Sequence, residues 1–354
     1  VNTLGSEKGI RKFLKSKEFT LLVMLAVLVV LYTILCSLAG KNFLTFDTLV
    51  AIISSLVISS FLTIGAACLL LTGKMDLSVV SVGASGAFIF ARALATWSWP
   101  WPVAVIVALA ACAVLGLINA LLVNEFNMQS FIATMATSTI FSGIYTYLSW
   151  DPAKRGMQSV IVKHPFTDWL GITQLFDFIP ITIVLMLILF VIYGVMLKKT
   201  KFGAQIYLVG GNPMAARLSG LNPKRISYIM YANSGVMAGL AGIVFVARTG
   251  NAAVMMLSNN MFTGLIAAML GGISFFGGKG GMVGVFIGLC ILNTFNTGMS
   301  ILNFDTYWSG LLQGIVLVIA LTLDLSGSKR LAKSVSRKVD REPEKVTGKV
   351  GSGQ

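Results

Sequence analysis

Hydrophobic residues run along this chain in long unbroken blocks, with neither the alternation of a strand nor the one-sided stripe of a soluble helix. A bilayer core about 30 Å thick takes roughly 20 apolar residues of helix. Ten blocks approach that length: 21–38, 49–71, 77–94, 103–123, 131–148, 178–197, 226–246, 262–276, 282–299 and 307–325. The third and eighth are short or broken by glycine and serine. The first, with its basic flank, resembles a signal peptide, but it is too long for an h-region and has no A-x-A site, so it reads as a span. The pattern predicts an all-α integral membrane protein of about ten transmembrane helices. It divides into a basic N-terminal tail (1–20), a transmembrane domain (21–325) and a basic polar tail (326–354) expected to be disordered.

Five blocks precede the long polar stretch 149–177 and five follow it. An odd number per half forces the halves into opposite orientations, and the two weak blocks fall at corresponding positions. Paired, glycine-interrupted segments in two inverted halves point to a transport path near the midplane. The short joints "FNMQSF" and "LNFDTY" each link the fourth and fifth blocks of a half.

Composition supports the same class. The chain is 56% hydrophobic and 11% charged, with a mean hydropathy of +0.85, where a soluble domain carries about 25% charged residues. The net charge of +14 would suggest nucleic acid in a soluble protein. Its distribution says otherwise. With both termini in the cytoplasm, only Lys41, Arg92, Lys154, Arg155, Lys163 and Arg248 of the 27 lysines and arginines fall at or near the outer face. The charge is therefore mostly topology. "TWSWPWP" (96–102) falls at the outer face, where it reads as an interfacial tryptophan belt or, less simply, a sugar-stacking platform.

Little in the chain supports covalent or metal chemistry. Cys36, Cys68, Cys112 and Cys290 lie inside apolar blocks at unrelated spacings, and His164 has no partner histidine. Apart from the boundary residues Asp76 and Asp324, no acid interrupts a span. An ion-coupled secondary carrier usually needs one, and a membrane enzyme would need a catalytic cluster. The polar residues inside spans read as interhelical glue or, together, as the lining of a mild path, with Asn119, Thr134, Asn293 and Asn296 as candidates. Asp76 reads as the cap of the third span or as a proton-coupling acid. Gly271, Gly272, Gly277 and Gly278 belong to a glycine-dense stretch that suits close helix packing and a tight turn around Lys279. Arg92 and Arg248, near outer span ends, are candidates for docking an acidic extracytoplasmic partner or for snorkelling to lipid phosphate.

The most informative interruption is "GGNPMAARLSGLNPKRI" (210–226), within a basic loop at 198–227. Asn212 suits an N-cap, Pro213 the first helical position and Gly220 the C-terminal cap. A helix of about eight residues, roughly 12 Å long, would carry Ala215 and Ala216 where a close partner can seat. Met214 and Leu218 would form an apolar edge, with Arg217 beside them. The alternative is an amphipathic helix lying on lipid.

Four blocks carry a resemblance: "GKMDLSVVSVGAS", "GLINALLVNEFNMQSFIATMA", "TKFGAQIYLVGGNPMAARLSGLNPKRISYIMYANSGVMAGLAGIV" and "IAAMLGGISFFGGKGGMVGVFIGLCILN". Over about 51–324 the chain resembles the permease subunits of ribose-type ABC sugar importers. The resemblance implies a vitamin-B12-permease-like helical fold in the bacterial inner membrane. It also implies a second permease copy or homologue, a cytoplasmic ATPase carrying ATP and magnesium, and an extracytoplasmic sugar-binding protein. The cargo would be a pentose-like monosaccharide; relatives of the same fold carry furanose signalling molecules, nucleosides or branched-chain amino acids. Ala215, Ala216 and Gly220 match the family's A-A-x-x-x-G cytoplasmic signature, which implies that 212–220 couples to the ATPase. The chain departs from the family in having Lys74 and Val80 where glycines are usual, and neutral "MFTG" (261–264) where acids are usual.

Overall fold

The computed structural model describes residues 16–151, 154–175 and 179–305, with nine further residues between 307 and 322. Its helices are α1 (Lys17–Leu38), α2 (Phe46–Leu71), α3 (Val79–Ala95), α4 (Trp101–Asn124), α5 (Ser130–Ser149), α6 (Pro165–Ile172), α7 (Ile181–Lys199), α8 (Lys201–Gly211), α9 (Pro213–Leu218), α10 (Pro223–Thr249), α11 (Thr263–Leu270) and α12 (Met282–Ile301). Among the described residues α1, α2, α4, α7, α10 and α12 are long and apolar enough to cross a membrane. The protein is a mostly helical, multi-pass membrane protein. The C-terminal tail, residues 1–15 of the N-terminal one and most of the tenth block lie outside the described residues, while 17–20, expected in the tail, belong to α1.

Local capping chemistry sets where the helices start, a few residues ahead of the apolar blocks in α1 and α2. The hydroxyls of Ser16, Thr45 and Thr200 accept from the third amide of α1, α2 and α8. Proline stands in the first turn of α4, α6, α9 and α10.

The core is built around α10, which packs on α2, α3 and α4. Between helices in lipid the hydrophobic effect gives no driving force, so packing depends on how closely backbones approach. A Cβ at Gly235 would lie 2.1 Å from the Cys112 carbonyl oxygen, and one at Gly116 would lie 2.3 Å from that of Tyr231. The α4–α10 contact is therefore backbone against backbone, and a side chain at either position would separate the pair.

The two weak blocks are corrected in extent. The third yields a 17-residue helix that begins at Val79 rather than 77. The eighth, expected over 262–276, yields only the eight residues of α11. At about 1.5 Å per residue α11 cannot span a bilayer. It stops because Gly271 lies against α12, where a Cβ would be 2.5 Å from Gly284, and because Gly272 turns the chain with φ +94°. Most of α3 and nearly all of α11 is buried. Their glycines and serines thus mark interior helices instead of lipid-facing ones.

On the opposite side from the 198–227 loop, short antiparallel pairs organise the connections. Val160–Ile161 pairs with Asn251–Ala252, which ties the long loop to the end of α10. Trp101 stacks on Phe166 of α6 with ring centroids 4.3 Å apart.

Candidate functional site

The stretch at 212–220 folds into a short helix, α9, of six residues where about eight were expected. Asn212 Oδ1 accepts from the amides of Met214 (3.1 Å) and Ala215 (3.0 Å), and Pro213 opens the first turn. Gly220 ends the element in the left-handed region, φ +81°, which glycine adopts without steric cost. Met214 and Leu218 are 65% and 83% exposed, as the apolar edge requires, and Arg217 is exposed beside them. Ala216 differs from expectation. It is only 3% exposed, on an element whose neighbours in the fold are α8 and α10. Its small size serves this chain's own packing, which leaves Ala215, Met214 and Leu218 to face outward.

The root of α9 is a junction of three backbones. A Cβ at Gly210 would lie 1.8 Å from the Leu71 carbonyl oxygen and 2.8 Å from the Gly278 nitrogen. One at Gly277 would lie 2.6 Å from the Gly73 nitrogen, and the Gly278 amide donates to Leu71 O at 2.9 Å. Gly277 and Gly278 have φ +84° and +71°, so the turn is glycine-specific as well as close. Gly271 packs and Gly272 turns, while Gly277 and Gly278 bind the α11–α12 connection to the end of α2 and the base of α9.

From this junction the α2–α3 connection runs into a buried polar network. Lys74 Nζ donates to Asn124 Oδ1 (2.5 Å) and Ser227 Oγ (2.8 Å). Tyr231 donates to Met75 O at 3.1 Å. Asp76, 1% exposed, accepts from Ser78 N (2.8 Å) and Ser78 Oγ (2.6 Å) on one oxygen and from Ser234 Oγ (3.0 Å) on the other. It therefore closes the turn before α3 and ties it to α10. The expected cap on the first helical amides is not what forms, since α3 starts at Val79 after Ser78. Asn119 extends the network, donating to Ser78 Oγ (2.7 Å) and accepting from Thr137 (2.6 Å), while Thr134 Oγ1 accepts from Leu77 N (3.1 Å).

Asn119 and Thr134 are thus brought together with Asp76. Asn293 is not, since it donates to Ser59 Oγ (3.3 Å) and Leu289 O (2.9 Å), joining α12 to α2. Asn296 lies one turn further along α12, half-buried. Sequence reasoning missed Ser227 and Ser234. Their signal was available: Ser227, Tyr231 and Ser234 stand at i, i+4 and i+7, one face of α10.

Charges around the network have physical causes on view. Burial, with Lys224 nearby, pushes the Lys74 ammonium down to about 8. Lys224 itself pairs with Glu125 at 2.7 Å, and that hydrogen bond holds the Glu125 carboxyl below its ordinary range. Arg92 donates to Leu148 O at 2.8 Å and towards Trp150 O and Thr96. Arg248 donates to Ser54 O. Both guanidiniums are half-buried and engaged with carbonyls of their own chain. Among the described residues no group of three or more His, Cys, Asp or Glu is placed to hold a metal ion.

A family described as branched-chain amino acid transport system / permease component matches residues 48–321. The ribose import permease protein RbsC of Escherichia coli K12 is 31% identical over 326 residues, covering 91% of this chain and 98% of that protein. RbsC of Bacillus subtilis 168 is 32% identical over 82% of this chain and 88% of its own length. The D-allose transport system permease protein AlsC of E. coli K12 is 31% identical over 86% and 91%. No solved structure matches the chain.

Proposed function

The chain belongs to the branched-chain amino acid transport system / permease component family, and from that premise we propose that it is the membrane subunit of an ATP-driven importer of a monosaccharide. Its relatives named for ribose and D-allose support a sugar as cargo. ATP hydrolysis belongs to a separate cytoplasmic ATPase, which docks on α9, and an extracytoplasmic binding protein delivers the sugar. The architecture behind it is ten spans in two inverted halves of the vitamin-B12-permease type, with both termini cytoplasmic and a second permease copy or homologue completing the path. The shortness of both α3 and α11 supports the inverted repeat.

The observation that carries this reading is the seating of α9. An exposed apolar edge sits on a helix capped at both ends. Its base is locked to the α2–α3 and α11–α12 connections, one from each half. Motion imposed on Met214 and Leu218 by a closing ATPase therefore reaches both halves through backbone contact, without a flexible linker. Along the α2–α3 connection it reaches Asp76, Asn119 and Thr134. Hydroxyls and amides there can exchange partners with sugar hydroxyls at nearly constant hydrogen-bond count, which suits a path that must release its cargo. Arg92 and Arg248 serve the outer face by tying helix ends together beneath the binding protein.

The test is uptake of labelled ribose and allose into proteoliposomes holding this chain with its ATPase and binding protein. ATP-dependent uptake is expected. Uptake driven by an ion gradient without ATP would replace the reading with a secondary carrier.

A further inference from the structure

A groove of about 400 Å³ runs between α7 and α12 and shares no lining residue with the polar network. Leu187, Phe190, Val191, Gly194 and Val195 line it from α7, at the i, i+3, i+4, i+7, i+8 spacing of one helix face. Met282, Val283 and Phe286 line it from α12. Phe190 and Phe286 meet edge to face at 5.1 Å, while Gly194 leaves the middle open: a Cβ there would find only Met282, at 3.8 Å. The exposed members, with Val191 at 64%, lie on helices long and apolar enough to cross a membrane.

One end of this trough is polar. Lys198 and Lys199 close it, both exposed. The ion pair found among the described residues, Lys224–Glu125, involves neither. The 20-residue helix α12 begins at the same end. Its N-cap is Gly281, no side chain caps its amides, and its first turn has no acid. Open amides at a helix start, with the positive end of the helix dipole, favour an anionic oxygen. Two lysines beside them add charge complementarity of the kind that basic pockets between spanning helices offer to lipid headgroups.

We propose that this groove is a binding site for an anionic phospholipid. One acyl chain lies between α7 and α12 over Gly194, and the phosphate sits among Lys198, Lys199 and the first amides of α12. Neither element alone makes the site. The trough selects an acyl chain, and the charged end selects its headgroup over a zwitterionic one.

The probe is dioleoylphosphatidylglycerol, compared with dioleoylphosphatidylcholine and with inorganic phosphate, added to the detergent-purified chain. Retained lipid is counted by native mass spectrometry, and the melting midpoint is followed in parallel. Phosphatidylglycerol is expected to be retained in preference to phosphatidylcholine and to raise the midpoint. Lys198→Gln with Lys199→Gln should weaken its retention by about tenfold or more, while Lys198→Arg with Lys199→Arg should keep it. Gly194→Leu, which fills the trough, should also lose it with both lysines intact. Equal retention of the two lipids overturns the proposal, as does full retention in Gly194→Leu. Stabilisation by inorganic phosphate equal to that by the lipid overturns the acyl-chain seat. A disulfide between two copies bearing Val195→Cys would show the groove covered by a second copy instead.

Discussion

Asp76 is a buried carboxylate surrounded by donors, and the identity of those donors decides its role. Ser78 and Ser234 are hydroxyl partners that can turn. An amide at 76 can still accept from the Ser78 amide and donate to a rotated Ser234 hydroxyl. Asp76→Asn is therefore expected to insert and to keep most ATP-driven uptake, whereas Asp76→Leu strands buried donors at a cost of about 1–3 kcal/mol. Loss of uptake in Asp76→Asn with an unchanged melting midpoint would restore the proton-coupling role. Lys74, in the connection before it, gives a pH signature. Its folded value of about 8 lies below the ordinary 10.5. Below pH 8 both folded and unfolded chains hold the proton, and the folded state bears the cost of a partly buried ammonium. Between pH 8 and about 10.5 only the unfolded chain still holds it, so stability from this group rises with pH. The melting midpoint of the wild type should thus gain on that of Lys74→Met between pH 7.5 and 9.5; a constant difference would refute the assignment.

At the scale of elements, α9 separates what sequence can and cannot disclose. Asn212, Pro213 and Gly220 were legible because capping is local: each acts on backbone within a few residues of itself. The direction of Ala216 was not, since it depends on α8 and α10 arriving from elsewhere in the fold. The same limit explains the eighth block. Its composition is apolar enough for a span, but the end of α11 is set by Gly284 on another helix. The burial of Ala216 also changes which substitutions report on coupling. Ala216→Glu would force a carboxylate into this chain's own packing and lower stability. Met214→Asp and Leu218→Asp alter exposed positions and should leave insertion and melting unchanged while cutting ATPase stimulation by about tenfold, a contact worth roughly 1.4 kcal/mol. Undiminished stimulation in both would remove α9 from the interface.

For the whole molecule, the topology proposed from the arrangement of charge and the two short interior helices is open to a labelling test. Cysteines introduced at Lys154 and Lys163 are expected to react with an impermeant thiol reagent from outside, and those at Lys201 and Lys279 only after permeabilisation. Reaction of the Lys201 position from outside would invert the second half. The three-backbone junction beneath α9 also bears on how the chain is made. Its parts are residues 71–73, 210–211 and 277–278, which leave the ribosome at well-separated times. A nascent chain that has passed residue 226 already carries every residue of α9 and the 71–73 part of its floor, which stays incomplete until the α11–α12 turn arrives. With an ATPase docking on α9 as proposed, its recruitment would read out completed biogenesis: a half-built permease displays the peptide without the whole platform. A chain ending at residue 260 should accordingly insert its earlier helices and, on that proposal, capture no ATPase.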